Sequence, residues 1–236
     1  MVVSMFFSSF FKKKLFLVLF VLQTFVASLE VSADCFSMSW TRHDRPWDYY
    51  ANETRMPDGN TPDGLINLLE KNHLNQSVRT LQRGQTSPLP GDMLFIMRII
   101  PNHPLVLDTY SRFEKKYNES AMFRNDNYVR KPVYAAECLF RRANKVFPGN
   151  AQTMLVWGLH HYRNDEYVEA LDKLTTANAL SPSDVEVQYN LGLTYAQLGN
   201  VDKAKEFAQL AYAAGYPLPG LKNKIEQLSG EKFSSQ

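Results

Sequence analysis

The chain has 236 residues, and its five histidines and two cysteines carry the widest chemistry. The histidines are His43, His73, His103, His160 and His161. A structural or catalytic zinc site needs three or four His, Cys or carboxylate ligands at workable spacing. No HExxH pattern and no suitable Cys/His spacing occurs here. His160 and His161 are sequence neighbours, which on a helix sets their side chains about 100° apart. We therefore expect packing and surface roles for both, and no bound metal. Pro101-Asn102-His103-Pro104 reads as a helix start with Asn102 as cap. Cys138 lacks the signature that would make it a nucleophile beside a histidine. His43-Asp44 are chance neighbours, and no G-x-S-x-G, P-loop or Rossmann glycine pattern is present. The expectation is no catalytic residue, no cofactor and no enzyme. The competing expectation is an enzyme or accessory subunit built on residues 34–130, with a buried polar pocket around His103 or His43.

Composition narrows the partner class. Residues 1–33 hold Lys12, Lys13, Lys14 and Glu30, so the remainder carries 26 − 3 = 23 bases and 24 − 1 = 23 acids. A neutral remainder gives no electrostatic footprint for nucleic acid. The lysine cluster is followed by unbroken hydrophobe from Leu15 to Leu22, then by Val31-Ser32-Ala33 with the −3/−1 spacing of signal-peptidase cleavage. The expectation is a signal peptide cleaved after Ala33 and a periplasmic or secreted protein. An uncleaved inner-membrane anchor is the alternative, and a membrane contact is expected only in that case. An oxidising compartment permits a bridge between Cys35 and Cys138, which we expect; two unrelated thiols are the other reading.

The elements that must position any site emerge when the sequence is slid against itself by 34 residues. Ala151–Asp184 and Val185–Leu218 then align: Gly158 with Gly192, Ala170 with Ala204, Ala177 with Ala211. The glycines let paired helices approach, and the alanines keep neighbouring helices close. Pro182 ends a helix. An earlier unit is degenerate: Ala136, Phe140, Ala143, Val146 and Pro148 repeat the second helix. Its first helix starts near Pro101 with Leu107, Tyr110, Ser111 and Phe113, leaving an insertion at about 116–131. A helix over about 91–100 precedes it. Residues 34–90 are irregular, with short helices expected over 62–71 and 76–83. Pro219-Gly220-Leu221 opens a capping helix within 219–236.

On these residues the chain resembles the tetratricopeptide-repeat (TPR) family, and more broadly bacterial exported TPR proteins of unassigned function. The broader features are Trp47-Asp48-Tyr49, Arg83-Gly84-Gln85, Pro90-Gly91-Asp92 and Pro101-Asn102-His103. His161, Asp165, Gln188 and Ala208 depart from the repeat pattern. The resemblance implies an all-α fold: a short solenoid of antiparallel helix pairs (91–150, 151–184, 185–218), an irregular N-terminal extension and a C-terminal cap. It implies a protein–protein interaction module, an adaptor or assembly factor, holding a partner's peptide or helix in its concave groove. Groove residues implied are Gln152, Leu155, Leu159, Tyr162 and Arg163 from one first helix, and Glu186, Tyr189, Asn190, Leu193 and Gln197 from the next. The carboxylate-clamp positions carry Gln152, Val156, Glu186 and Asn190, of which only Asn190 suits a clamp. A membrane-anchored structural spacer is the remaining alternative.

Overall fold

Turn formers and prolines cut the chain into twelve α-helices among the residues that the computed structural model describes, 33–41 and 44–233. In order these are α1 Asn52–Arg55, α2 Leu65–His73, α3 Gln76–Arg79, α4 Gly91–Met97, α5 Pro104–Glu119 and α6 Ala121–Arg124. They continue as α7 Ala136–Val146, α8 Ala151–Arg163, α9 Tyr167–Leu180, α10 Val185–Gln197, α11 Val201–Ala213 and α12 Gly220–Ser229. No strand occurs among the described residues, in line with the all-α expectation. No helix among them is long and apolar enough to cross a membrane. The signal-peptide reading falls on residues 1–33, of which only Ala33 is described, and His43 also lies outside the described residues.

Asn150, Asp184 and Asn200 start α8, α10 and α11, each side chain accepting hydrogen bonds from backbone N–H groups of the first turn. Such caps are worth about 1 kcal/mol each. Ala170, Ala177, Ala204 and Ala211 are all fully buried. The α8–α9 turn places Asp165 at φ 61°, and the α10–α11 turn places Gly199 at φ 76°. The left-handed position is therefore the same in both repeats, and the first meets it with an aspartate, at greater strain than glycine.

Close approach is visible at the paired glycines. A Cβ on Gly158 would meet Leu174 Cγ at 2.6 Å and the Ala170 carbonyl oxygen at 3.4 Å. A Cβ on Gly192 would meet Leu221 Cδ2 at 2.5 Å and the Ala204 carbonyl oxygen at 3.4 Å. The first repeat fills this socket with its own Leu174. The second carries Ala208 in that register and fills the socket with Leu221 from α12. The loss of packing expected at Ala208 is thus made good from outside the repeat. In sequence, Leu221 and Ile225 lie one period after Val187 and Leu191, and all four are buried. So α12 repeats, one period on, the buried positions of a first helix. It packs on both α10 and α11.

The degenerate first unit pairs α5 with α7, across an insertion that starts at Ser120, not near 116, because α5 stays helical to Glu119. Phe113 and Phe123 pack edge-on with centroids 5.9 Å apart, and Tyr110 Oη donates to the Tyr134 carbonyl at 2.7 Å. The 34–90 segment is fastened onto this unit at several points. Cys35 and Cys138 form the expected disulfide, with Cα atoms 6.0 Å apart. Arg142 is buried, donates to the Met97 and Met38 carbonyls at 2.9 and 3.2 Å, and stacks over Trp40 at 3.8 Å. Asn102, expected as a cap, instead accepts from Tyr49 N–H and donates to Asp48 Oδ1. The cap of α5 is His103, whose Nδ1 accepts from Val106 N–H.

Candidate functional site

The first helices α5, α8 and α10 lie side by side and make one wall, with α8 touching both of the others. Seven of the ten expected groove residues keep exposed surface there: Gln152, Leu159, Tyr162, Glu186, Asn190, Leu193 and Gln197. Gln152 Nε2 donates to Asp184 Oδ2 at 2.8 Å, and Gln197 Nε2 donates to Tyr162 Oη at 3.2 Å. These bonds run between α8 and the α10 side of the wall and fix its polar surface. Asn190 gives one amide N–H to the Glu186 carbonyl one turn back, leaving its second N–H and its oxygen to offer.

Three expected groove residues sit elsewhere. Leu155 is 1% exposed and belongs to the main core, because α8 packs against α5, α7 and α9 and keeps little free circumference. Tyr189 is 6% exposed: its ring stacks on Tyr216 at 4.2 Å, and its hydroxyl occupies the space beside Gly220 that a Cβ would take. It joins α10 to the cap. Arg163 is consumed in holding α8 to α5, with Nη1 2.9 Å from Asp108 Oδ1 and Nη2 donating to Ser111 Oγ at 2.9 Å.

Acidic groups missed at the sequence level complete the wall. Asp108 also takes Arg112 Nε at 2.8 Å, an i,i+4 pair that was readable on α5. Glu186 is open to solvent, yet its carboxyl is held above its ordinary value, first by desolvation and then by Asp184 and Asp108. Glu186 has no ion-pair partner among the described residues.

The repeat geometry is now complete: two antiparallel helix pairs 34 residues apart, small residues buried at matched positions, and paired glycines under the crossing helix. The tetratricopeptide repeat family model matches residues 161–214, from the end of α8 through α11. The chain carries tetratricopeptide repeats. TPR regions are protein–protein interaction scaffolds, and the family is generally non-enzymatic. No curated protein matches the chain.

His73, His103 and the remaining motif residues have structural explanations around this TPR region. His103 is fully buried, with Nδ1 capping α5 and Nε2 3.1 Å from Glu70 Oε1, so it faces no solvent. Burial holds its pKa below the ordinary value despite Glu70. Asp92 explains the Arg-Gly-Gln and Pro-Gly-Asp motifs. Its buried carboxylate accepts from the N–H groups of Gln85, Thr86 and Ser87, from Thr86 Oγ1, and faces His73 Nδ1 at 2.8 Å. Gly84 and Gly91 have no room for a Cβ because Ser87 lies against both. His160 and His161 differ from expectation: their ring centroids are 5.3 Å apart, and both are buried.

Proposed function

We propose that the chain is an exported adaptor or assembly factor that holds an extended peptide or helix of a partner protein along the α8–α10 wall. A basic side chain of that partner pairs with Glu186. Glu186 carries this reading: a carboxylate on the inner wall, pressed by Asp184 and Asp108, with no described ion-pair partner. A cation there relieves both the desolvation and the repulsion. Leu159 and Leu193 supply apolar contact beside it, and Asn190 supplies an amide oxygen for a peptide N–H. Export rests on the lysine cluster, the apolar run and Val31-Ser32-Ala33, and the Cys35–Cys138 bridge supports an oxidising compartment.

A peptide library read by fluorescence polarisation on the purified chain tests the groove. Peptides with Lys or Arg beside apolar residues are expected to bind, and Glu186→Lys and Leu193→Glu to lose at least about tenfold in affinity, the scale of an interface hot spot. Folded variants that keep full binding refute the groove reading. N-terminal sequencing of the exported chain tests cleavage, with Asp34 as the expected first residue.

A further inference from the structure

Outside the groove, one cluster of ligating side chains has a geometry that packing alone does not require. One ring nitrogen each of His160 and His161 and a carboxylate oxygen of Glu137 all lie within 4.8 Å of one another. The three come from two helices, Glu137 on α7 and the histidines on α8. His161 Nε2 is 3.5 Å from Glu137 Oε2. Each member also has a partner outside the cluster. Glu166 Oε2 is 2.6 Å from His161 Nδ1, and Ser111 Oγ is 2.9 Å from His160 Nδ1. Trp157 Nε1 donates to Glu137 Oε2 at 2.7 Å. Outer partners orient metal ligands in this way: Nδ1 of each imidazole is engaged, and His161 Nε2 faces the Glu137 carboxylate.

We propose that Glu137, His160 and His161 bind one divalent transition-metal ion of the zinc class, with Glu166, Ser111 and Trp157 as orienting residues. Imidazole and carboxylate are the ligands such an ion prefers. Two neutral histidines with the Glu137 and Glu166 carboxylates carry a charge of −2, which a divalent cation cancels. Ligand atoms around a tetrahedral ion with bonds near 2.1 Å stand about 3.4 Å apart. The His161–Glu137 separation of 3.5 Å already meets this, and ring rotation closes the remainder. The histidine side is buried while the Glu137 side chain is 42% exposed, so the ion enters past the carboxylate. Ser111 Oγ accepts from Arg163 and has a second lone pair for His160 Nδ1–H, which frees His160 Nε2 for the metal. Three protein ligands leave the fourth position to water. The ion would join α7 to α8 one residue from the disulfide cysteine Cys138.

The test is Zn²⁺ titration of the full chain by calorimetry, with Co²⁺ as a spectroscopic probe and a thermal melt with and without Zn²⁺. The expected result is one Zn²⁺ per chain, a tetrahedral-type Co²⁺ spectrum, and a melting temperature that rises with Zn²⁺. Glu137→Gln keeps an oxygen for Trp157, so it removes the ligand charge with little disturbance of the fold. It and His161→Gln are each expected to weaken binding more than about tenfold, and Glu166→Gln by about tenfold. If His161→Gln does not fold, Glu137→Gln decides the matter. No uptake of Zn²⁺ by the unaltered chain overturns the proposal. So does uptake unchanged in Glu137→Gln, which would be an adventitious ion only.

Discussion

Leu221→Ala is the substitution that best separates this architecture from a simpler one in which α12 is a dispensable tail. Leu221 is fully buried, with an accessibility of 0%, and its methyl carbons fill the space over Gly192. Truncating a buried leucine removes its transfer energy and leaves a cavity, a loss of about 3 kcal/mol. Ala208→Leu alone forces a second side chain into a filled socket and costs about 2 kcal/mol. Independent sites would give about 5 kcal/mol for the pair. The register argument says otherwise, because the side chain introduced by Ala208→Leu would stand where Leu174 stands in the first repeat. The double variant is therefore expected to lose only about 1–2 kcal/mol, a coupling of about 3–4 kcal/mol. Urea unfolding followed by far-UV circular dichroism, with slopes compared across the four proteins, measures this. A loss under about 1 kcal/mol for Leu221→Ala, or additive losses in the double variant, would refute the reading that α12 continues the repeat register.

Two further outcomes concern the N-terminal half. Asp92→Asn should lower stability by about 3 kcal/mol, since the amide cannot accept all the bonds the carboxylate takes. Burial alone would raise the Asp92 pKa, but hydrogen bonds from Thr86, His73 and Gln85 hold it below the ordinary value. Its contribution is thus present above the unfolded carboxylate pKa of about 4 and is lost as pH falls through the lower folded value. The melting-temperature gap between Asp92→Asn and the unaltered chain should narrow well below pH 4, and a constant gap would contradict this. Replacing both Cys35 and Cys138 by serine opens a loop spanning 103 residues and should cost about 4.7 kcal/mol in the chain-entropy view. Limited proteolysis should then cut near residues 34–41, and unchanged resistance would show that Arg142 and Trp40 hold the segment unaided.

The solenoid was legible because its requirement is a backbone one. Helices that pack closely need Gly158 and Gly192, Ala170 and Ala204, at one interval, and no distant residue is consulted. The N-terminal half was not legible for the opposite reason. Its order comes from single side chains bonding backbone groups far away in sequence, such as Arg142 to Met38, Asn102 to Tyr49 and Asp92 to the 85–87 loop. Spacing carries no trace of such pairs. At the site, periodicity told which residues share a helix face but not how much of that face a neighbour covers. Leu155 and Tyr189 were lost to that cover. The closeness of the histidine pair escapes the sequence because the angle between Cβ directions ignores side-chain length, and because Glu137 comes from another helix.

The seating of α12 on the α10–α11 pair also decides what the outer face of that pair can do. Left bare, that pair would present the same face that α8 and α9 present to α10. A second molecule could seat its own leading helices there, and the contact, being head-to-tail, would go on propagating into fibres. With Leu221 and Ile225 turned inward against α10 and α11, and Lys222, Asn223 and Gln227 facing out, that seat is already taken by the chain itself. Among the described residues α12 thereby covers the face on which such a head-to-tail contact would form.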